Sequence, residues 1–222
     1  MISEAEDFAG SVIDIVHSIW KKESEEYPAG YAVFYSPVRI NPELMIIGLN
    51  PGGDHLCFSK NKETLISDGT PMEYVRDKES YPLARKTTAL FESIGLMDLL
   101  ANSLKTNLNF FRSRNWTSLS QKHSNECLQL VLKMIKFFKP KAILCESIRV
   151  FDLLCPRVVE AGHGAPICAK NKNGRRTYIS VRNDKSTEPN LLIGITHLTG
   201  SRPSSAELDT IKKLLFNDLR RI

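Results

Sequence analysis

The sequence predicts an α/β fold, a parallel sheet with helices on both faces. Three observations carry that prediction. Short apolar runs at Leu44–Leu49, Ala142–Cys145 and Leu191–Thr196 have the continuous character of strands buried on both sides. Amphipathic stretches of helical period separate them. The resulting alternation of helix and strand is that of βαβ crossovers, which place consecutive strands side by side and parallel. No composition shift, repeat or low-complexity tract divides the 222 residues, so residues 1–222 read as one domain.

Taken in order, a helix from Ser3 to about Lys22 places Phe8, Val12, Ile15, Val16 and Ile19 on one face. Ser3 is its N-cap, with Glu6 three residues on. Glu23 to Arg39 contains Pro28, Gly30 and Pro37 and reads as an irregular approach with a short β-segment at Ala32–Tyr35. The first strand stops in Asn50-Pro51-Gly52-Gly53-Asp54. Pro51 cannot donate to a sheet ladder, and the glycines allow a sharp bend. Ser59 to about Leu83 reads as a polar loop with short helical pieces. Ala84–Leu100 reads as a helix that Gly95 ends or kinks.

Leu104–Phe111 alternates polar and apolar residues, a strand signal. Ser124–Phe138 is a strong helix with Cys127, Leu128, Val131, Leu132, Ile135 and Phe138 on one face, stopped by Lys139-Pro140. Ser147 caps a helix through Leu154. Pro156–Gly164 reads as a turn region, Lys170–Arg176 as a basic hairpin tip and Tyr178–Val181 as a short strand. The last helix, from about Ser205 to Arg221, turns Leu208, Ile211, Leu214, Leu215 and Leu219 inward.

Composition bounds the function classes. Hydrophobic residues make up 42% and charged residues 25%, ordinary for a soluble domain. A net charge of +5 and a pI of 8.9 permit a polyanionic partner without demanding one. The five cysteines form no Cys-x-x-Cys pair, so their spacing argues against a zinc or iron–sulfur site and against a disulfide framework. The expectation is a cytoplasmic protein without metal or cofactor. The mixed, acidic N-terminus does not resemble a signal peptide, and no apolar run is long enough to cross a bilayer.

Polar residues cluster where strands stop: Asn50 after the first, Asn107 or Asn109 on the second, His197 after the last. In an open α/β sheet such residues face one cleft at the carboxyl edge. An Asn amide offers both donors and an acceptor, which suits a pyrimidine edge. A neutral histidine can stabilise negative charge developing on a leaving group. Nothing supplies a Ser/His/Asp triad, a Walker A loop or a Gly-x-Gly-x-x-Gly turn. Each feature also has a plain structural reading: His197 ending a strand, one asparagine facing solvent, Phe58 in the core.

The segments GLNPGGD (Gly48–Asp54), TNLNFF (Thr106–Phe111) and HLTGSR (His197–Arg202), in that order, resemble the motifs of the uracil-DNA glycosylase superfamily. The first is similar to the Gly-x-Asn-Pro-Gly form of its mismatch-specific and single-strand-selective branches. The resemblance implies a three-layer α/β/α fold around a central, mostly parallel, four-stranded sheet. It implies a monofunctional DNA glycosylase, without metal or cofactor, that flips a base into a pocket and hydrolyses its N-glycosidic bond. Asn50 would position the attacking water, with Asp54 as a competing catalytic group. Phe58 would stack on the base, Asn107 or, in the alternative register, Asn109 would read it, and His197 would hydrogen-bond its O2.

Ser201 and Arg202 would fill or brace the gap in the duplex. Arg112 and Arg114, directly after the second motif, are candidates for phosphate contact. Gly52 stands where the strictest uracil enzymes carry a tyrosine that blocks a 5-substituent, so the expected substrate is uracil or a 5-substituted pyrimidine. The expected partner is DNA, single- or double-stranded, bound by a monomer with no membrane association, near the nucleoid if the source is bacterial. A repair role and a defence role against modified viral DNA read alike. The competing readings are a catalytically weak or inactive DNA- or nucleotide-binding relative and a free-nucleoside hydrolase.

Overall fold

The computed structural model describes residues 3–52, 72–113, 120–159, 164–183, 189–199 and 203–222. A six-stranded mixed sheet runs in the order β2-β1-β3-β6-β5-β4. The strands are β1 (Leu44–Gly48), β2 (Leu104–Asn107), β3 (Ala142–Cys145), β4 (Ile167–Lys170), β5 (Arg176–Arg182) and β6 (Leu191–Ile195). β1 pairs in parallel with β2 and with β3, and β3 pairs in parallel with β6. β4 and β5 form an antiparallel hairpin whose second strand lies antiparallel to β6.

The expectation of a four-stranded sheet is thereby corrected. Four strands form a parallel block, and the hairpin widens the sheet to six. The hairpin tip was legible in Lys170–Arg176. β4 itself was not, because it is only four residues long and three of them are exposed, so no buried face marks it.

Seven helices lie among the described residues: α1 (Glu4–Lys22), α2 (Glu73–Arg76), α3 (Pro82–Ser93), α4 (Met97–Ala101), α5 (Gln121–Phe138), α6 (Ile148–Val158) and α7 (Ser205–Leu219). Successive strand residues face opposite sides of the sheet. Met45, Ile47, Ile143, Cys145 and Leu192 pack with residues of α1, α5 and α6. Leu44, Ile46, Ala142, Leu144, Ile193 and Ile195 pack with residues of α2, α3, α4 and α7. Burial on both sides is why these strands read as unbroken apolar runs.

Local chemistry sets the helix ends. α1 and α7 each begin in a capping box, Ser3 with Glu6 and Ser204 with Glu207. Gly95, at φ +69°, divides the expected Ala84–Leu100 helix into α3 and α4. α5 starts three residues before Ser124, because the Ser120 side chain accepts from His123 N. α6 continues through Pro156, which the sequence reading assigned to a turn. In the last turn a proline removes a single intrahelical bond, which the helix tolerates.

β2 stops at Asn107 rather than Phe111. Beyond it the chain keeps its grip on the turn after β1, with Leu108 N donating to Gly48 O at 2.8 Å and Asn109 N to Leu49 O at 3.0 Å. The β-segment expected at Ala32–Tyr35 is reduced to isolated bridges, Tyr31 with Phe111 and Phe34 with Thr106. Among the described residues no helix is long and apolar enough to cross a membrane.

Gly194 of β6 lies directly under α6. A Cβ there would stand 2.7 Å from Phe151 Cβ and 2.9 Å from Phe151 Cγ. Gly194→Ala is therefore expected to lose roughly 1–3 kcal/mol of stability through overpacking. Urea denaturation measures this, and an unchanged midpoint would contradict the close helix–sheet contact.

Candidate functional site

The chain leaves β1 for β2 on one side and leaves β3 for β4, at the far border, on the other. This divergence opens the crevice at the carboxyl ends of β1 and β3 where open α/β sheets bind ligands. Asn50 follows β1, Asn107 ends β2, Glu146 follows β3 and His197 follows β6. In register, Gly48 of β1 lies opposite Asn107, and Glu146 N donates to Ile47 O at 3.0 Å.

Asn50 is held by the segment after the second motif. Its amide nitrogen donates to Ser113 O at 3.1 Å, Ser113 Oγ at 3.2 Å and Pro51 O at 3.2 Å. Two of these partners are carbonyls, which only accept, so the amide orientation is determined. Oδ1 is left as an acceptor on the other side of the group. Sequence reasoning missed Ser113, which lies in irregular chain with no periodic signal. The Arg112 guanidinium donates to Gly52 O and braces the same turn, a structural role beside the DNA contact expected of it. Gly52 is exposed, and a Cβ built on it meets no atom of the described residues within 4 Å.

The two candidate asparagines of the second motif differ. Asn109 is fully buried, its Oδ1 accepting from Phe111 N at 2.9 Å and its Nδ2 donating to Ser124 Oγ at 3.5 Å. It closes an Asx turn. Asn107 is also buried, but among the described residues its side chain makes no hydrogen bond. Its Oδ1 reaches over Gly48, where a Cβ would lie 2.2 Å from it. Gly48 is thus required by the close approach of a neighbouring side chain.

Sequence reasoning also missed the ion pair beneath. Lys105 Nζ donates to Glu146 Oε2 at 2.7 Å, and both side chains are only 4% exposed. Tyr74 of α2 donates its hydroxyl to the same oxygen at 2.7 Å. The ammonium lies 4.8 Å from the Tyr74 ring centre and 5.5 Å from that of Tyr35. Burial, reinforced by the Glu146 carboxylate, holds the Tyr74 hydroxyl well above its usual value, so it stays a donor. Burial also raises the carboxyl of Glu73, against the opposing pull of Lys105.

His197 is half-buried, with Nδ1 2.8 Å from Thr199 Oγ1. Burial pushes its imidazole below the usual histidine value. The Glu146 carboxylate opposes that shift, and Lys105 and Lys86 add to it. The ring is therefore neutral at pH 7. Lys86 Nζ donates to Leu198 O at 2.9 Å and ties the His197 loop to α3. Beside this loop an apolar cavity of about 280 Å³, lined in part by Lys86, Leu90, Leu198 and Leu208, opens between α3 and α7.

The structure thus brings Asn50, Gly52, Asn107 and His197 to one edge of the sheet and adds Ser113, Lys105, Glu146 and Tyr74. Asp54, Phe58, Arg114, Ser201 and Arg202 lie outside the described residues. No protein-family model and no curated protein matches the chain, so its own residues are the basis for assigning a function.

Lys105→Met would leave Glu146 charged, buried and without its cation, and should destabilise the fold by about 3–5 kcal/mol. Adding Glu146→Leu removes the stranded charge and should restore most of that loss. A double-mutant cycle from denaturant melts tests this. Equal instability of the single and double variants would show that packing, not charge pairing, dominates at this position.

Proposed function

We propose that the chain is a monofunctional DNA glycosylase that flips a pyrimidine out of DNA and hydrolyses its N-glycosidic bond. The observation that carries the reading is the clamped amide of Asn50. With its nitrogen committed to Ser113 and Pro51, Oδ1 is a preset acceptor for a water at the end of β1. Such a water, aligned by a fixed acceptor, attacks the sugar C1′ as the bond to the base breaks. An uncharged Asn stabilises the cationic sugar less than a carboxylate would, so more of the acceleration falls to the leaving group.

His197 serves that side. As a neutral ring in the tautomer with the proton on Nε2, in which Nδ1 accepts from the Thr199 hydroxyl 2.8 Å away, it would donate to the base O2, where negative charge develops. Asn107, with no side-chain hydrogen bond among the described residues, is the base reader in preference to Asn109, whose amide is consumed by its own turn. Gly52 leaves space beside the turn, which supports tolerance of a 5-substituent on the excised base. The resemblance of the three motifs to the uracil-DNA glycosylase superfamily agrees with these roles. DNA is the proposed partner, and phosphate contacts from basic side chains make its binding salt-sensitive.

Oligonucleotides each carrying uracil or one 5-substituted pyrimidine, scored for abasic sites, test the assignment. Asn50→Ala and His197→Ala should each lower excision by about 10²–10³-fold while leaving the fold intact. Gly52→Tyr should retain uracil excision and lose the 5-substituted bases. Tight DNA binding without abasic product would favour a binding protein, and activity confined to free nucleosides a nucleoside hydrolase.

A further inference from the structure

Glu146 has a second oxygen that the ion pair does not use. Lys105 and Tyr74 both bond Oε2, whereas Oε1 is buried and has no hydrogen-bond partner among the described residues. A buried carboxylate oxygen left unpaired is costly, and such a group in a native fold calls for an explanation. Its position supplies one. The Glu146 carboxylate and the Asn107 amide oxygen converge on one place above Gly48. Asn107 Oδ1 lies 2.2 Å, and Glu146 Oε2 3.3 Å, from where a Gly48 Cβ would stand. Alternation along the strands puts Lys105 and Asn107 on the same face of β2, but the ammonium is turned to Oε2 and to the rings of Tyr74 and Tyr35. What stands beside Asn107 on this face is therefore an acceptor-only carboxylate with one oxygen, Oε1, unused.

We propose that Glu146 is a specificity-determining residue of this site, and that with Asn107 it selects a pyrimidine bearing an exocyclic amino group, a cytosine-type base, over its keto counterpart. The inference rests on the glycosylase reading, in which Asn107 faces the base edge. An amino group at C4 offers two N–H donors from one nitrogen, one for Asn107 Oδ1 and one for Glu146 Oε1. A uracil-type base places a carbonyl oxygen there instead, facing the lone pairs of the carboxylate. Carboxylates read the cytosine amino group in the same way in protein–DNA contacts, because among the pyrimidines cytosine alone presents a donor at that position. The sharp turn after β1 leaves room for a 5-substituent on either base, so the choice between amine and ketone falls to Glu146.

Binding and excision are read separately. DNA carrying 5-hydroxymethylcytosine or 5-hydroxymethyluracil at one position, on a 2′-fluoroarabino sugar that keeps the bond intact, is titrated with the full chain at fixed salt. The wild type should bind the amino base at least about tenfold more tightly. Glu146→Gln should abolish or invert that preference, since Lys105 and Tyr74 retain the carbonyl oxygen and the amide NH₂ replaces the acceptor Oε1. Glu146→Asp keeps the charge opposite Lys105 while withdrawing the acceptor, and should narrow the preference should the Gln variant not fold.

Equal or keto-favouring binding by the wild type overturns the proposal, as does a preference unchanged in a folded Glu146→Gln. The unmodified-sugar substrates report on the underlying reading. Amine-selective binding with no abasic product overturns the glycosylase assignment alone. Excision of both bases without amine preference overturns the role of Glu146 alone.

Discussion

Lys105 and Glu146 come from strands that do not pair with each other, and they meet across the strand that separates them. Lys105 lies on β2, Glu146 at the end of β3, and β1 runs between. Removing both charges from water costs several kcal/mol per ion, which a 2.7 Å contact offsets only with further hydrogen bonds to the pair. Tyr74 supplies one, so α2 has to sit over this end of the sheet. Gly48 supplies the space, because any side chain there would displace Asn107. The stance of Asn107 and the placement of α2 thus follow from one buried contact.

The site is assembled from four strand ends, and no single segment contains it. Two features keep the parts in place without a ligand. The loops after β1 and β2 are joined by backbone bonds from Leu108 and Asn109 to Gly48 and Leu49, and Ser113 closes the join by holding Asn50. The loop after β6 is tied to α3 through Lys86. Preset geometry of this kind lowers the ordering entropy that would otherwise oppose the proposed reaction.

Where apolar runs end, the sequence was informative. Asn50 and His197 stand out because each closes a continuous buried strand, and capping residues, Ser3 and Ser147, marked the starts of α1 and α6. Asn107 and Asn109 could not be separated, since residues two apart share a face as long as a strand continues. The structure ends β2 at Asn107 and breaks that equivalence. Lys105 and Glu146 were illegible for a related reason. A lysine in an alternating strand reads as solvent-facing, and the element that buries it, α2, spans four residues and carries no period. Ser113 lies in chain with no regular pattern at all. The hairpin was half-legible, its charged tip recognisable and its outer strand too exposed and too short to register.

The two borders of the sheet are finished differently. Along β2 the preceding chain lies close, with bridges at Tyr31 and Phe34 and main-chain bonds from Ala32 to Phe110 O and from Tyr35 to Lys105 O. Along β4 no further strand pairs among the described residues, and Ile167 is 48% exposed. A bare border with an apolar side chain is a template for unwanted stacking between molecules. Here it is limited to four residues and closed by Lys170, the two devices by which sheets discourage such stacking. Edge-to-edge pairing of this sheet between molecules would therefore begin at β4, on the opposite border from β2 and its asparagine.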